Sequence, residues 1–184
     1  MKQSVSRAHA ILHVVRARII VALSDRTLTP RDLVKILGDV PLGTLYRHLN
    51  TLLEAEIIEI VAERRVHGTV ERTFGMRPGA SYLSPEDRTN LTPEELTGIV
   101  QMLTMVVTDA FGKFASVAPR PYKEGQFTMV TEGLYLTQNE ICELRDFIRA
   151  TVAKSGRGPA PDLERRIVGF FSVPDLSEQM ITNS

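Results

Sequence analysis

The side chains best suited to meeting a partner lie in one short run: Thr44, Tyr46, Arg47 and Asn50, with Gly43 just before them and His48 and Thr51 flanking. An arginine can fork onto the acceptor edge of guanine and an asparagine onto adenine, while threonine and tyrosine hydroxyls suit phosphate oxygens. A glycine at the head of such a run lets the backbone approach a duplex closely. On an isolated helix the same set is more often a solvated polar face. Here the preceding segment weighs towards DNA contact.

That segment reads as a short helix and a tight turn. Thr29 is an N-cap residue followed by Pro30 at the first helical position, where a missing N–H costs nothing. Leu33, Val34, Ile36 and Leu37 give a small apolar face at helical spacing. Gly38-Asp39 stops the helix, and Pro41 restricts Val40 to extended geometry before the next start. From Leu42 to about residue 54, Leu45, Leu49 and Leu52 recur every three or four positions, so one face is buried and the polar set points away. Ile57, Ile58, Ile60 and Val61 favour a strand, His67-Gly68 supplies a hairpin turn, and Thr69–Phe74 returns antiparallel. The expectation is a winged helix-turn-helix: recognition helix over 42–54 in a major groove, wing over 58–75 on the backbone or minor groove. Arg64, Arg65, His67 and Arg72 are the wing's candidate phosphate contacts, partly offset by Glu63 and Glu71; the plainer reading of these charges is solubilising strand polarity.

Two phrases carry a resemblance: GTLYRHLNTL over 43–52 and ERRVHGTVERTF over 63–74. Residues 29–76 resemble the winged-helix domain of the arsenical-resistance-repressor (ArsR-like) superfamily of bacterial regulators, and the second phrase is similar to a subgroup with a helical C-terminal dimerisation part. The resemblance implies that Thr44, Tyr46, Arg47 and His48 sit at the groove-facing end of the recognition helix. It also implies that the wing contacts the backbone or minor groove of double-stranded DNA, and the subgroup's C-terminal part implies a dimer. Two departures stand out. Glu56 occupies a position where such relatives usually carry glycine, which predicts a looser turn. Asp32–Leu37 lacks the paired cysteines of metal-sensing members, so no thiolate metal site is expected.

Composition sets the outer bounds. The chain has 184 residues, enough for one domain with an appendage or two small ones, and 43% hydrophobic residues, ordinary for a soluble globular protein. Its 22 basic and 22 acidic side chains balance, but residues 1–77 hold 12 Lys and Arg against 8 Asp and Glu. A basic front and an acidic rear fit a DNA-binding half with a different half behind it. A single cysteine, Cys142, excludes a disulfide framework. Neither a membrane-length apolar run nor a signal-peptide core is present, so a cytoplasmic, bacterial protein is expected. No nucleophile elbow, phosphate-binding loop, dinucleotide fingerprint or metalloprotease helix occurs, and no enzymatic activity, cofactor or metal is expected. His9 and His13 lie four apart, a spacing that could hold a metal, but without a third ligand they read as partly exposed surface histidines.

The remaining elements follow in order. Residues 4–23 read as one amphipathic helix. Residues 77–91 break regular structure and hold the expected boundary between a DNA-binding domain, 1–80, and a dimerisation and effector domain, 81–184. Thr92-Pro93-Glu94-Glu95 is a strong helix start, and the helix runs to about Val117 with an apolar face wide enough to be buried on two sides. Met102, Met105, Phe111 and Phe114 are candidate lining for a small apolar effector; plain core or dimer interface is the competing reading. Residues 126–131 alternate with period two and read as a strand, extended by 134–136. Thr137 caps a helix over 138–154 in which Cys142 is expected to be core, and 165–173 reads as a last strand. The fold class is thus mainly α with a small β component: a winged helix-turn-helix plus a helix–strand–helix–strand dimerisation domain. The function expected is a homodimeric transcriptional regulator, a repressor, on a pseudo-palindromic operator. The alternative is a winged-helix scaffold for protein assembly that never touches DNA, a use to which Glu54, Glu56 and Glu59 would lend themselves.

Overall fold

The computed structural model describes residues 7–66, 69–78, 89–118, 120–154 and 160–175. Its elements are α1 (Arg7–Ile11), α2 (Val14–Leu23), α3 (Pro30–Leu37), α4 (Leu42–Glu54), β1 (Ile58–Val66), β2 (Thr69–Met76), α5 (Pro93–Val117) and α6 (Gln138–Val152). Helices α1 to α4 and the β1–β2 hairpin bury one core. Leu33, Leu45, Leu49, Leu52 and Ile57 are fully enclosed there, against Ile11, Ile19 and Ile20 from the first two helices.

Three helices begin on the same local device. Thr29, Thr92 and Thr137 each accept a hydrogen bond from the backbone N–H three residues on, while Asp32, Glu95 and Glu140 reach back to the threonine N–H. Each pair satisfies two donors that a helix start leaves without partners. Gly38 ends α3 at φ 77°, a conformation glycine adopts without cost, and its N–H donates to Val34 O at 2.8 Å.

The first helix differs from expectation. Its predicted span is broken at Leu12-His13, and His13 sits in extended geometry as the N-cap of α2, its Nδ1 accepting from Val15 N–H at 3.2 Å. Histidine is not a usual capping residue, so periodicity alone runs the helix through. The turn after α4 also differs, because it is not loose. Ile57 N–H donates to Leu52 O and Glu56 N–H to Leu53 O, both at 3.0 Å. That is a closed Schellman motif, with Leu52 and Ile57 making its apolar contact, and Glu56 occupies the left-handed position at φ 55° where glycine is usual.

The wing pairs Ile58 with Met76 and Val66 with Thr69 at its ends. Ile60 faces Phe74 and Ala62 faces Thr73, so Val61 is an extra residue in β1, a β-bulge. Gly75 accommodates it: a Cβ there would lie 3.1 Å from Val61 Cγ1 and 3.2 Å from Thr27 Cγ2. Leu28 and Phe74 exchange two backbone hydrogen bonds of 2.9 and 2.8 Å, which ties the hairpin to the loop before α3.

Helix α5 closes the same core with Ile99, Met102 and Val106 against α1 and α2. The rear half departs from its predicted form. Among the described residues the only sheet is β1–β2, and 126–136 and 165–173 belong to no sheet. Alternating side chains make a segment fit for a strand; pairing needs a second edge, which the described residues do not present to either. Helix α6 spans 138–152 and buries none of its residues, so Cys142 is half-buried rather than core. No helix among the described residues is long and apolar enough to cross a membrane.

Candidate nucleic-acid interface

Helices α3 and α4, joined by Gly38–Pro41, present the polar run through α4. Leu45, Leu49 and Leu52 lock one side of the helix into the core. The other side exposes Gly43, Tyr46, Arg47 and Asn50, with Thr44 half-buried. Among the described residues the side chains of Tyr46, Arg47 and Asn50 make no hydrogen bond or ion pair within the protein. Pro41 is the N-cap residue and gives no side-chain hydrogen bond, so the first-turn amides of α4 have no capping side chain. A helix N-terminus of that kind favours an anion such as phosphate. Nothing lies within 4 Å of where a Gly43 Cβ would stand, so the approach there is open.

His48 does not belong to this surface. It is 4% exposed, a correction to its place among the predicted DNA contacts. Its ring meets that of His13, the centroids 4.4 Å apart and the planes inclined at 47°. Burial, then His13, Arg16 and Arg47, press the His48 pKa down to about 4. His13 is lowered as well, by partial burial and by Arg16 and Arg47. Both rings are therefore neutral near pH 7. The i,i+4 relation to His9 carries no site: His13 faces α4 instead, and Arg16 donates to the carbonyls of His9 and Ala10. Sequence reasoning places His48 outward because a histidine between Arg47 and Leu49 gives no sign of a second histidine waiting across the α1–α2 break.

On the wing, Arg64 and Arg65 are exposed and unpaired among the described residues. Arg72 is held by Glu63 at 2.9 Å, a carboxylate with which a phosphate would have to compete. His67 lies outside the described residues. Glu71, opposite Arg64 in the ladder, leans towards Arg31 at 3.9 Å. Arg31 itself is 75% exposed in the first turn of α3, a cation on this front that sequence reasoning passed over.

The four candidate effector residues do not share a cavity. Met102 is buried in the core and Met105 is 54% exposed. Phe111 and Phe114 join Phe127 in edge-to-face contacts with centroids 6.0 Å apart, and Tyr122 completes that aromatic group. An open hollow of about 420 Å³ touches Phe114, but its other walls are Lys123, Glu124, Gly125, Gln126, Glu164 and Arg166.

Residues 11–61 match the family described as "Helix-turn-helix domain". Over that stretch the chain is similar to helix-turn-helix domains. The match spans the end of α1, all of α2, α3, the turn, α4 and the start of β1, the elements that hold Tyr46, Arg47 and Asn50 outward. No curated protein matches the chain. The similarity suggests DNA binding and regulation of transcription.

Proposed function

We propose that this protein is a non-enzymatic, cytoplasmic bacterial repressor that binds a pseudo-palindromic operator as a homodimer, of the non-metal-sensing ArsR-like kind. The observation that carries the reading is α4, whose three core leucines are fully enclosed while Gly43, Tyr46, Arg47 and Asn50 stand exposed. Arg47 and Asn50 are the base readers; Tyr46, the first-turn amides of α4, Arg64 and Arg65 are phosphate contacts. A two-fold dimer would set two such helices one helical turn apart on the duplex. The wide apolar face of α5, with Leu96 and Met105 exposed, supplies a surface for that dimer.

The test is fluorescence anisotropy on the duplex upstream of the protein's own gene, against scrambled DNA, at several salt concentrations. Preference of roughly a thousandfold for the upstream duplex is expected. Arg47→Ala should weaken it about five- to a hundredfold, as for loss of a bidentate base contact. Equal, weak binding to both duplexes would overturn the reading for that site, and unchanged affinity of the Arg47 variant would remove Arg47 from the interface.

A further inference from the structure

Arg18 projects from α2, and its side chain is only 11% exposed. Its Nη1 donates to both carboxylate oxygens of Asp39, at 2.9 and 3.0 Å, and its Nη2 donates to Leu37 O at 2.6 Å. Leu37 ends α3 and Asp39 lies in the turn, so one guanidinium holds the corner between the two helices of the DNA-binding unit. Its Nε faces the other way, 3.8 Å from Asp109 of α5, which in turn pairs with Lys113 at 2.9 Å. The placement follows from spacing. Ile99, Met102 and Val106 form the buried stripe of α5, and Asp109 and Lys113 continue that stripe at helical intervals beyond the core.

We propose that Arg18 is a positioning residue linking α5 to the helix-turn-helix corner, so that the placement of α5 sets the pose of α4. The proposal rests on the DNA-binding reading above for its functional half only. A guanidinium has a planar set of five donors, so it can serve two carboxylates and a carbonyl on different elements at once. Holding the corner needs only Asp39 and Leu37 O. The third arm, to an acid on a helix that otherwise meets α2 through apolar side chains, is what connects the two halves. Lys113 acts on Asp39 as well, so the charge pair of α5 is within electrostatic reach of the turn.

The test uses the full chain with Asp109→Asn, Asp39→Asn, the double variant, and Glu94→Gln as a control removing the same charge from the start of α5. In the absence of DNA, amide exchange at Gly38, Asp39 and Val40 reports the corner. Asp109→Asn should speed that exchange about two- to fivefold, the size of a partly exposed ion pair. The acceleration should disappear when Asp39 is already Asn, and Glu94→Gln should not produce it. On the upstream duplex, Asp109→Asn should change affinity by a similar factor, again only when Asp39 is intact. Unchanged exchange at the corner, or equal acceleration in both Asp39 backgrounds, overturns the link. Coupled exchange with unchanged duplex affinity overturns the positioning role. A wild-type protein that ignores the duplex defeats the DNA-binding reading, while the exchange data still decide whether the link exists.

Discussion

The most exacting prediction concerns His48→Gln. In the folded protein the His48 pKa is about 4, against an ordinary 6.5 for an unfolded chain, because burial and the neighbouring cations oppose its charging. A lowered folded pKa means that the unfolded chain binds the proton more readily between those values. Stability is therefore complete above pH 6.5, falls as pH drops towards 4, and levels off below. Linkage gives a loss of about 2 kcal/mol between pH 8 and pH 5, growing to about 3 kcal/mol by pH 4. His13 contributes in the same direction. Asp32 and Asp39 have lowered carboxyl pKa values from Thr29 and Arg18, so their stabilisation is lost only at more acid pH, which makes pH 5 to 8 the useful window. Glutamine keeps a polar side chain of similar length and cannot titrate. Urea unfolding across that window should show the wild type losing about 2 kcal/mol more than His48→Gln does, whatever their difference at pH 8. Parallel curves would refute the buried, neutral His48 ring packed on His13. So would a His48 ring signal in NMR that titrates near 6.5.

Glu56 holds a left-handed backbone conformation, so Glu56→Gly should be more stable than Glu56→Ala by about 1 kcal/mol in thermal or urea unfolding, both having lost the exposed ion pair to Arg77. Leu49→Ala empties a fully enclosed site and should cost about 2–5 kcal/mol, read as a lowered urea midpoint. Thr29→Ala removes one capping box and should cost about 1 kcal/mol. Arg64→Ala should lower the salt dependence of duplex binding by about one phosphate contact, whereas Arg72→Ala should change it less because Glu63 already holds Arg72.

What could be read from the sequence was what the chain decides locally. Thr29 with Pro30, Thr92 with Pro93 and Glu95, and Gly38 set their helix boundaries locally, and the leucine spacing in α4 follows from the same short-range geometry. The outward placement of Tyr46, Arg47 and Asn50 came with it. The features not legible were those set by distant partners. His13 interrupts the first helix in concert with a ring that lies thirty-five positions away, and the same contact takes His48 off the DNA face. Gly75 makes room for Val61, which no pattern in β1 discloses. The rear alternation in 126–131 and 165–173 marks segments fit for strands, but whether they pair depends on an edge supplied by something else. The Glu56 turn is instructive in another way: its hydrogen bonds and the Leu52–Ile57 contact hold the motif closed although its residue type argues for slack.

The extra residue in β1 has a consequence for how such a hairpin can change over generations. A bulge bends its strand and increases the local right-handed twist, so losing the extra residue re-aims everything on its free side. The base of the hairpin is fixed by Phe74 and Leu28, which leaves the tip as the part that turns. Deleting Val61 would leave Ala62 opposite Thr73 and Arg64 opposite Glu71, a regular ladder that keeps each arginine on its own face but loses the bend and extra twist that aim the tip. Single-residue gain or loss at this point is thus a means of re-aiming the tip cations at one stroke. Descendants of such an ancestor could meet different backbones with the same arginines.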